Sequence, residues 1–240
     1  MAAPSVLNRL QSKYLHLSKH IKNVGIKTFI VTKIYDHYIG LKLKALGVSY
    51  NNNATASPLH AVVESALKDA HENQPSSFYA VKNGLGAVPL PQAEISLLDI
   101  GCGNGKILTF GMLLQLKAVT GIELDEGALE KAISNCSKMQ QKGYTTPFNI
   151  TGTDAVNYII PESVNVIYLF NPFGSQTMQK VAANIAHHAK QSNKDVYIIY
   201  CMPSFEYVFE ALDKCTKLFE MYNKDKSQKE LTVLKIAGRQ

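Results

Sequence analysis

Short apolar runs and stretches with helical apolar spacing follow one another in a regular way from residue 95 to residue 213. Five short apolar runs predict β-strands, and each run is followed by a stretch in which apolar residues recur at helical spacing. The predicted strands are Ile95–Ile100, Ala118–Leu124, Phe148–Gly152, Val164–Phe170 and Val196–Met202. The predicted helices are Lys106–Gln115, Gly127–Gln141, Ala155–Ile159, Thr177–Gln191 and Ser204–Asp213. This alternation predicts a parallel sheet that carries helices on both faces.

The last part of the chain departs from this alternation. Two predicted strands, Leu218–Tyr222 and Leu231–Ile236, flank a polar turn and indicate an antiparallel hairpin that joins the sheet. The predicted fold class is therefore α/β. It is a Rossmann-like, doubly wound, seven-stranded sheet with a C-terminal antiparallel hairpin and an N-terminal helical extension.

The N-terminal extension has helical apolar spacing. A first stripe consists of Leu7, Leu10, Tyr14, Leu17, Ile21 and Val24. A second helix, from about Ile26 to Leu46, has a stripe of Phe29, Ile30, Ile34, Tyr38, Leu41 and Ala45, and Gly47 ends it. Ser57 and Pro58 begin a third helix that runs to about Ala70. Residues 73–94 contain Pro75, Gly84, Gly86, Pro89 and Pro91 and are interpreted as a loop. We predict that residues 1–75 form a basic helical segment packed on a domain of residues 76–240.

The net charge is concentrated in this extension. The formal net charge of the chain is +6, and residues 1–58 carry eight lysine and arginine residues against the single acidic residue Asp36. Basic amphipathic helices of this kind bind nucleic acid, an acidic membrane surface or a partner protein. The more common explanation is that their apolar faces pack on the core while the lysines are solvated.

Cysteine and histidine positions exclude several kinds of site. The four cysteines form no Cys-x-x-Cys pair, which argues against zinc and against a disulfide framework and favours a reducing compartment. His187 and His188 have no carboxylate or cysteine at ligand spacing, so we interpret them as surface histidines. No apolar stretch approaches the length of a membrane span. We expect a cytoplasmic protein without a bound metal.

A glycine-rich turn follows the first predicted strand. The chain reads Asp-Ile-Gly-Cys-Gly-Asn-Gly-Lys from Asp99 to Lys106, between a strand and a helix. Such a turn lets a ligand approach bare backbone, and the helix start offers unpaired N–H groups. The dinucleotide fingerprint requires Gly or Ala at the position of Lys106. The turn therefore favours S-adenosyl-L-methionine over NAD; a tight connection without any ligand is the alternative.

Acidic residues end the next two predicted strands. Glu123 ends the second strand, where a carboxylate in a doubly wound fold accepts hydrogen bonds from ribose hydroxyls. Asp154 ends the third strand, where its carboxylate can accept from an adenine amino group while the N–H of Ala155 donates to the ring. A surface position for Glu123 and an N-cap role for Asp154 are the alternatives.

The fourth predicted strand ends in Phe-Asn-Pro-Phe-Gly, residues 170–174. The end of the strand beside the first one lies across the ligand crevice of a doubly wound sheet. There the side-chain carbonyl of Asn171 can accept a hydrogen bond from an amine, and Phe173 can pack on the substrate. A structural turn with Phe173 in the core is the alternative.

From about residue 50 to residue 240 the chain resembles class I S-adenosyl-L-methionine-dependent methyltransferases. The resemblance is carried by Asp99–Lys106, Gly121–Leu124, Thr153–Ala155 and Phe170–Gly174. Within that class the chain is similar to small bacterial methyltransferases that are distantly similar to the non-SET histone lysine methyltransferases. Its Phe-Asn-Pro-Phe sequence resembles the [N/D]-P-P-[F/Y] element of amino-group methyltransferases and departs from it by having one proline.

The resemblance implies a function as well as a fold. It implies methyl transfer from S-adenosyl-L-methionine to a nitrogen of a protein or small molecule, with a protein lysine or other amine favoured. The basic charge of residues 1–48, which lie outside the resemblance, adds nucleic acid as a candidate partner. The implied catalytic residues are Asn171, Pro172 and Phe173. The implied cofactor-binding residues are Asp99, Gly101, Cys102, Gly103, Gly105, Glu123, Leu124, Asp154, Ala155 and Asn171. The alternative is a cofactor-binding module without transfer activity that recruits an acidic partner or nucleic acid through its basic N-terminus.

Overall fold

A seven-stranded sheet forms the centre of the structure. The structure is a computed structural model that describes residues 26–50, 76–170, 173–223 and 226–238. The strands are β1 (Ser96–Ile100), β2 (Ala118–Glu123), β3 (Phe148–Gly152), β4 (Val166–Phe170), β5 (Val196–Cys201), β6 (Cys215–Tyr222) and β7 (Lys229–Ile236). Their order is β3-β2-β1-β4-β5-β7-β6; β1 to β5 are parallel, and β7 is antiparallel to both β5 and β6. The predicted fold class is confirmed.

Helices cover both faces of this sheet. In the described part of the chain they are α1 (Ile26–Ala45), α2 (Phe78–Ala87), α3 (Lys106–Leu113), α4 (Glu126–Gln141), α5 (Ser175–Ser192) and α6 (Glu206–Glu210). Helices α1 to α4 share one buried apolar cluster with the sheet, and α5 and α6 share the other. Strand order reverses at β1, which lies between β2 and β4, so a crevice opens there at the carboxyl ends of the strands. None of the described helices is both long and apolar enough to cross a membrane.

The interpretation of residues 73–94 as a loop is wrong, because α2 forms there. Ser77 is its N-cap, and the Ser77 hydroxyl accepts a hydrogen bond from a backbone N–H of the first turn at 3.3 Å. Asp36 of α1 adds a second acceptor, since its Oδ1 accepts from the N–H of Tyr79 at 2.9 Å. Part of the capping therefore comes from a residue distant in sequence, which the local pattern does not show.

The prediction of which face of α1 packs is also wrong. The buried residues are Ile39 and Leu43, on the opposite side from the predicted stripe. Most of the stripe is exposed, with Ile30 at 47%, Ile34 at 65%, Tyr38 at 54% and Leu41 at 53%. Both sides of α1 are apolar, so spacing alone does not decide between them. The observed orientation is the one that brings Asp36 to the N-terminus of α2.

The predicted helix at residues 155–159 is a turn instead. The Asp154 Oδ1 accepts from the N–H of Val156 at 3.0 Å, and the Asp154 carbonyl accepts from the N–H of Asn157 at 3.1 Å. Pro161 follows and restricts Ile160 to extended backbone, so the turn does not continue into a helix. Helix α6 is likewise shorter than the predicted helix over residues 204–213.

His188 is not a surface residue, contrary to the prediction. Its side chain is 5% exposed, and its Nε2 lies 2.9 Å from the carbonyl oxygen of Val164. His187, the neighbouring residue on α5, is exposed as predicted. The difference follows from helical geometry, since adjacent residues on a helix point in different directions.

The two other predicted N-terminal helices, over residues 7–24 and 57–70, lie outside the described residues. The division of the chain into residues 1–75 and 76–240 therefore stays a prediction. The described part of the extension contacts the sheet domain through α1, whose Leu43 is fully buried in the same cluster as Phe78 of α2.

The two glycines of α2 provide a test of this packing. A Cβ at Gly84 would lie 2.6 Å from Cγ2 of Ile199 on β5, whereas a Cβ at Gly86 would meet nothing within 4 Å. Gly84→Ala should therefore lower the free energy of unfolding by about 1–3 kcal/mol through overpacking. Gly86→Ala, the matched control, should raise it by about 0.5–1 kcal/mol because alanine favours helix. Urea unfolding measures both; equal stabilisation by the two substitutions would show that α2 does not lie against Ile199.

Candidate functional site

The turn after β1 has a backbone that requires glycine. Gly101, Gly103 and Gly105 have φ angles of +79°, +49° and +76°. Gly105 also lies against α4, since a Cβ there would be 3.1 Å from the Cα and Cβ of Ala132. The turn is closed onto β2 through the N–H groups of Gly101 and Cys102, which donate to the Ile122 carbonyl at 2.9 and 3.0 Å. The predicted strand–turn–helix junction is present.

Glu123 connects this turn to the end of β2. Its Oε2 accepts from the N–H of Gly103 at 2.8 Å. Its Oε1 accepts from the N–H groups of Leu124 at 2.8 Å and of Asp125 at 3.0 Å. Glu123 is therefore not a residue of an unstructured surface loop. Carboxylate oxygens have further lone pairs, so the side chain can also accept from ligand hydroxyls.

Asp99 is a buried carboxylate in the centre of the same edge. It lies between Gly121 of β2 and Tyr168 of β4 in the strand register, and it is 3% exposed. Burial raises its pKa well above the usual range, and the charge of Glu123 adds to this shift. No lysine, arginine or histidine of the described residues forms an ion pair with it. An ionised Asp99 is uncompensated, so this position favours a cationic ligand group.

Ser76, just before α2, contacts two elements of the site. The Tyr168 hydroxyl of β4 donates to its Oγ at 2.8 Å. The ammonium group of Lys106, the first residue of α3, donates to its carbonyl oxygen and lies 4.4 Å from the ring centroid of Phe78. Sequence reasoning missed Ser76 and Lys106 because residues 73–94 were interpreted as a loop. The sequence feature that could have indicated the start of α2 was the Ser76-Ser77 pair, directly before the apolar positions of that helix.

Asn135 of α4 connects the glycine turn to the end of the N-terminal extension. Its side chain is fully buried; it donates to the carbonyls of Asn104 and Ser49 at 3.0 and 2.9 Å and accepts from the N–H of Ser49 at 3.2 Å. The side chain of Asn104 in turn donates to the Tyr50 carbonyl at 3.2 Å. Residues 48–50 therefore lie against the turn. No sequence motif indicates this, because Asn135 looks like an ordinary helical residue.

The predicted residues after β3 and β4 fall into three groups. Asp154 and Ala155 lie next to the end of β2, since the N–H of Thr153 donates to the Glu123 carbonyl at 3.3 Å; Asp154 caps a turn there rather than a helix. Phe173 is half-buried and packs on the cluster shared with α5 and α6. Asn171 and Pro172 lie outside the described residues.

Cys102 and Leu124 lie at the same carboxyl edge of the sheet, but neither directs a polar side chain into the candidate site. The Cys102 side chain is buried in the core, where its sulfur lies close to Gly121, and burial raises its pKa well above the usual range. The N–H of Leu124 donates to Glu123. Cys102 therefore offers a ligand its backbone rather than a reactive thiol.

Comparisons with known proteins identify the fold. No family model and no curated relative matches the sequence. Among solved structures, a protein from Escherichia coli that is provisionally named a methyltransferase matches with 11% identity and a TM-score of 0.53, over 71% of this chain and 91% of that one. A protein from Clostridium thermocellum that is provisionally named an rRNA methylase matches with 10% identity and a TM-score of 0.50, over 68% of this chain and 99% of that one. The chain has the class I methyltransferase fold.

The uncompensated charge of Asp99 predicts a pH dependence of stability. Because the folded pKa is raised, the favourable contribution of this group is complete below its unfolded pKa near 4 and is lost as the pH rises through the folded value. The stability of Asp99→Asn relative to the ligand-free parent should therefore increase with pH, by up to about 1.4 kcal/mol per pH unit. Urea unfolding between about pH 4 and pH 8 measures the difference, with the exposed Asp213→Asn as control. A difference that stays constant over this range would contradict an uncompensated Asp99.

Proposed function

We propose that this chain is an S-adenosyl-L-methionine-dependent methyltransferase whose cofactor binds at the carboxyl ends of β1, β2 and β3. The observation that carries the proposal is the position of Glu123, whose carboxylate ends β2 beside the glycine turn, 2.8 Å from the Gly103 nitrogen. In doubly wound folds an acidic residue at this position binds ribose hydroxyls. The class I methyltransferase fold supports the same assignment.

The residues of this edge fit the parts of the cofactor. The backbone of the turn over residues 101–105 is proposed to contact the methionine part, and Glu123 the ribose. The Asp154 carboxylate and the Ala155 N–H are proposed to contact the adenine. Asp99 is buried without a cation, so an ammonium group beside it would offset the cost of its charge.

Catalysis in this proposal requires alignment rather than a nucleophilic side chain. The cofactor supplies a methyl group made electrophilic by its sulfonium. The chain has to orient a neutral nitrogen towards that methyl group and exclude water. Asn171 is proposed to accept an N–H of the acceptor, a hydrogen bond that strengthens as the nitrogen becomes cationic. Phe173 is proposed to pack on the acceptor.

The acceptor is proposed to be a nitrogen of a nucleic acid. Helix α1 carries three exposed lysines, Lys33, Lys42 and Lys44. Their positive charge favours binding of a phosphate backbone. One structure with the same fold is named an rRNA methylase. A protein lysine, which the resemblance implies, has no support in the described residues.

A cofactor-binding module without transfer activity is the second candidate. The same exposed lysines of α1 favour it, because they would also recruit an acidic partner. Tight cofactor binding without methyl transfer, together with loss of partner binding on removal of residues 1–48, would identify this function.

The cofactor assignment predicts the effect of Glu123→Ala. Loss of hydrogen bonds from ribose hydroxyls to a charged group should weaken binding of S-adenosyl-L-homocysteine by about 1–3 kcal/mol in calorimetry. Glu126→Ala, at an exposed position in the first turn of α4, is the matched control. Thermal unfolding of the ligand-free variant measures any loss of the turn structure separately. Unchanged affinity in Glu123→Ala, or equal binding of NAD by the parent, would refute the assignment.

The activity is tested by transfer of labelled methyl groups. The cofactor with a labelled methyl group is incubated with the RNA, protein and small-molecule fractions of a cell extract, and label is expected in the RNA fraction. With the labelled fraction as acceptor, Asn171→Ala should lower the single-turnover rate by about 100–1,000-fold while cofactor affinity stays near that of the parent. Asn149→Ala, exposed on β3, is the control. Full activity of Asn171→Ala would mean that residues 170–174 form only a structural turn.

A further inference from the structure

Lys106 has a half-buried ammonium group whose contacts are all neutral. The group donates to the carbonyl oxygen of Ser76 and lies over the ring of Phe78, 4.4 Å from its centroid. Among the described residues no carboxylate forms an ion pair with it. Burial lowers its pKa, and the charge of Asp36 opposes this shift only from beyond ion-pair distance. The solvation that this cation has lost is therefore not replaced by an anion.

The ammonium group retains capacity for a ligand. A lysine ammonium has three N–H donors, and the Ser76 carbonyl accounts for one of them. Ser76 adds a further donor, because its Oγ accepts from the Tyr168 hydroxyl and its own O–H proton is not used in that bond. Lys106 is also the first residue of α3, where the helix dipole favours negative charge. Three independent features at this point favour an anion.

Asp99 and Lys106 lie before and after the glycine turn and carry opposite charges when both are ionised. Asp99 precedes the turn and is a buried carboxyl group without a cation, so its neutral form is favoured until a cation binds; Lys106 follows the turn and is a half-buried cation without an anion. The two side chains form no ion pair with each other. A ligand that carries both an ammonium and a carboxylate group matches this arrangement, whereas a neutral ligand matches neither charge.

We propose that Lys106, with the hydroxyl of Ser76, binds the α-carboxylate of the amino-acid part of the cofactor and selects ligands that carry it. This inference rests on the proposed function. It assigns Lys106 a role that distinguishes S-adenosyl-L-methionine and its product from nucleosides without an amino-acid part. A purely structural role, in which Lys106 only connects α3 to residue 76, is the competing explanation.

The experiment compares three ligands by calorimetry. S-adenosyl-L-homocysteine carries both charged groups, its decarboxylated analogue lacks the carboxylate, and 5′-methylthioadenosine lacks the amino-acid part. The parent protein should bind the first about 10–100-fold more tightly than the second, the range for hydrogen bonds to a charged group. Lys106→Met should remove this preference by weakening only S-adenosyl-L-homocysteine, and Lys106→Arg should retain it. Lys82→Met, an exposed lysine 4.9 Å from the Tyr35 ring centroid, is the matched control and should behave as the parent.

The outcomes separate this inference from the proposed function. A parent protein that binds none of the three ligands overturns both. A parent that binds S-adenosyl-L-homocysteine and its decarboxylated analogue equally overturns the role of Lys106 alone, and this comparison needs no variant that has to fold. Equal weakening of all three ligands by Lys106→Met shows a structural role and likewise overturns the inference.

Discussion

The carboxylate of Glu123 accepts three backbone N–H groups, and the shape of the candidate site depends on these hydrogen bonds. One oxygen accepts from Gly103 in the turn after β1, and the other accepts from Leu124 and Asp125 after β2. Residues beyond the ends of parallel strands have no ladder partners, so their N–H groups need other acceptors. The Glu123 side chain therefore accepts hydrogen bonds from the residues that follow two adjacent strands, and it sets the distance between these strand ends. The same side chain is the proposed ribose ligand.

Elements from outside the sheet complete the crevice. Asn135 of α4 bonds both to the glycine turn and to Ser49, and Asp36 of α1 bonds to the first turn of α2. The end of the N-terminal extension and the start of α2 thus lie at the glycine turn, although the turn is far from α1 in sequence. A substitution in α1 can consequently affect ligand binding without contact to the ligand.

Two uncompensated charges flank the same turn. Asp99 is buried and Lys106 is half-buried, and neither has an ion-pair partner among the described residues. Each isolated charge lowers the stability of the ligand-free protein because its desolvation is not offset. A ligand that supplies the opposite charges recovers this free energy on binding and stabilises the fold by mass action. If these side chains bind the cofactor as proposed, stability and ligand selection are linked through the same two residues.

The seven strands, the glycine turn and the acidic strand ends follow from the sequence alone, because they depend on short apolar runs and on a strand–glycine–helix junction, both of which are local. The formation of α2 and the face on which α1 packs are evident only in the tertiary structure. The reason is that each of these depends on a partner elsewhere in the chain: Asp36 caps α2, and Ile199 requires a glycine at residue 84. Ser76 and Lys106 belong to the candidate site for the same reason, since their contact exists only once α2 lies beside α3.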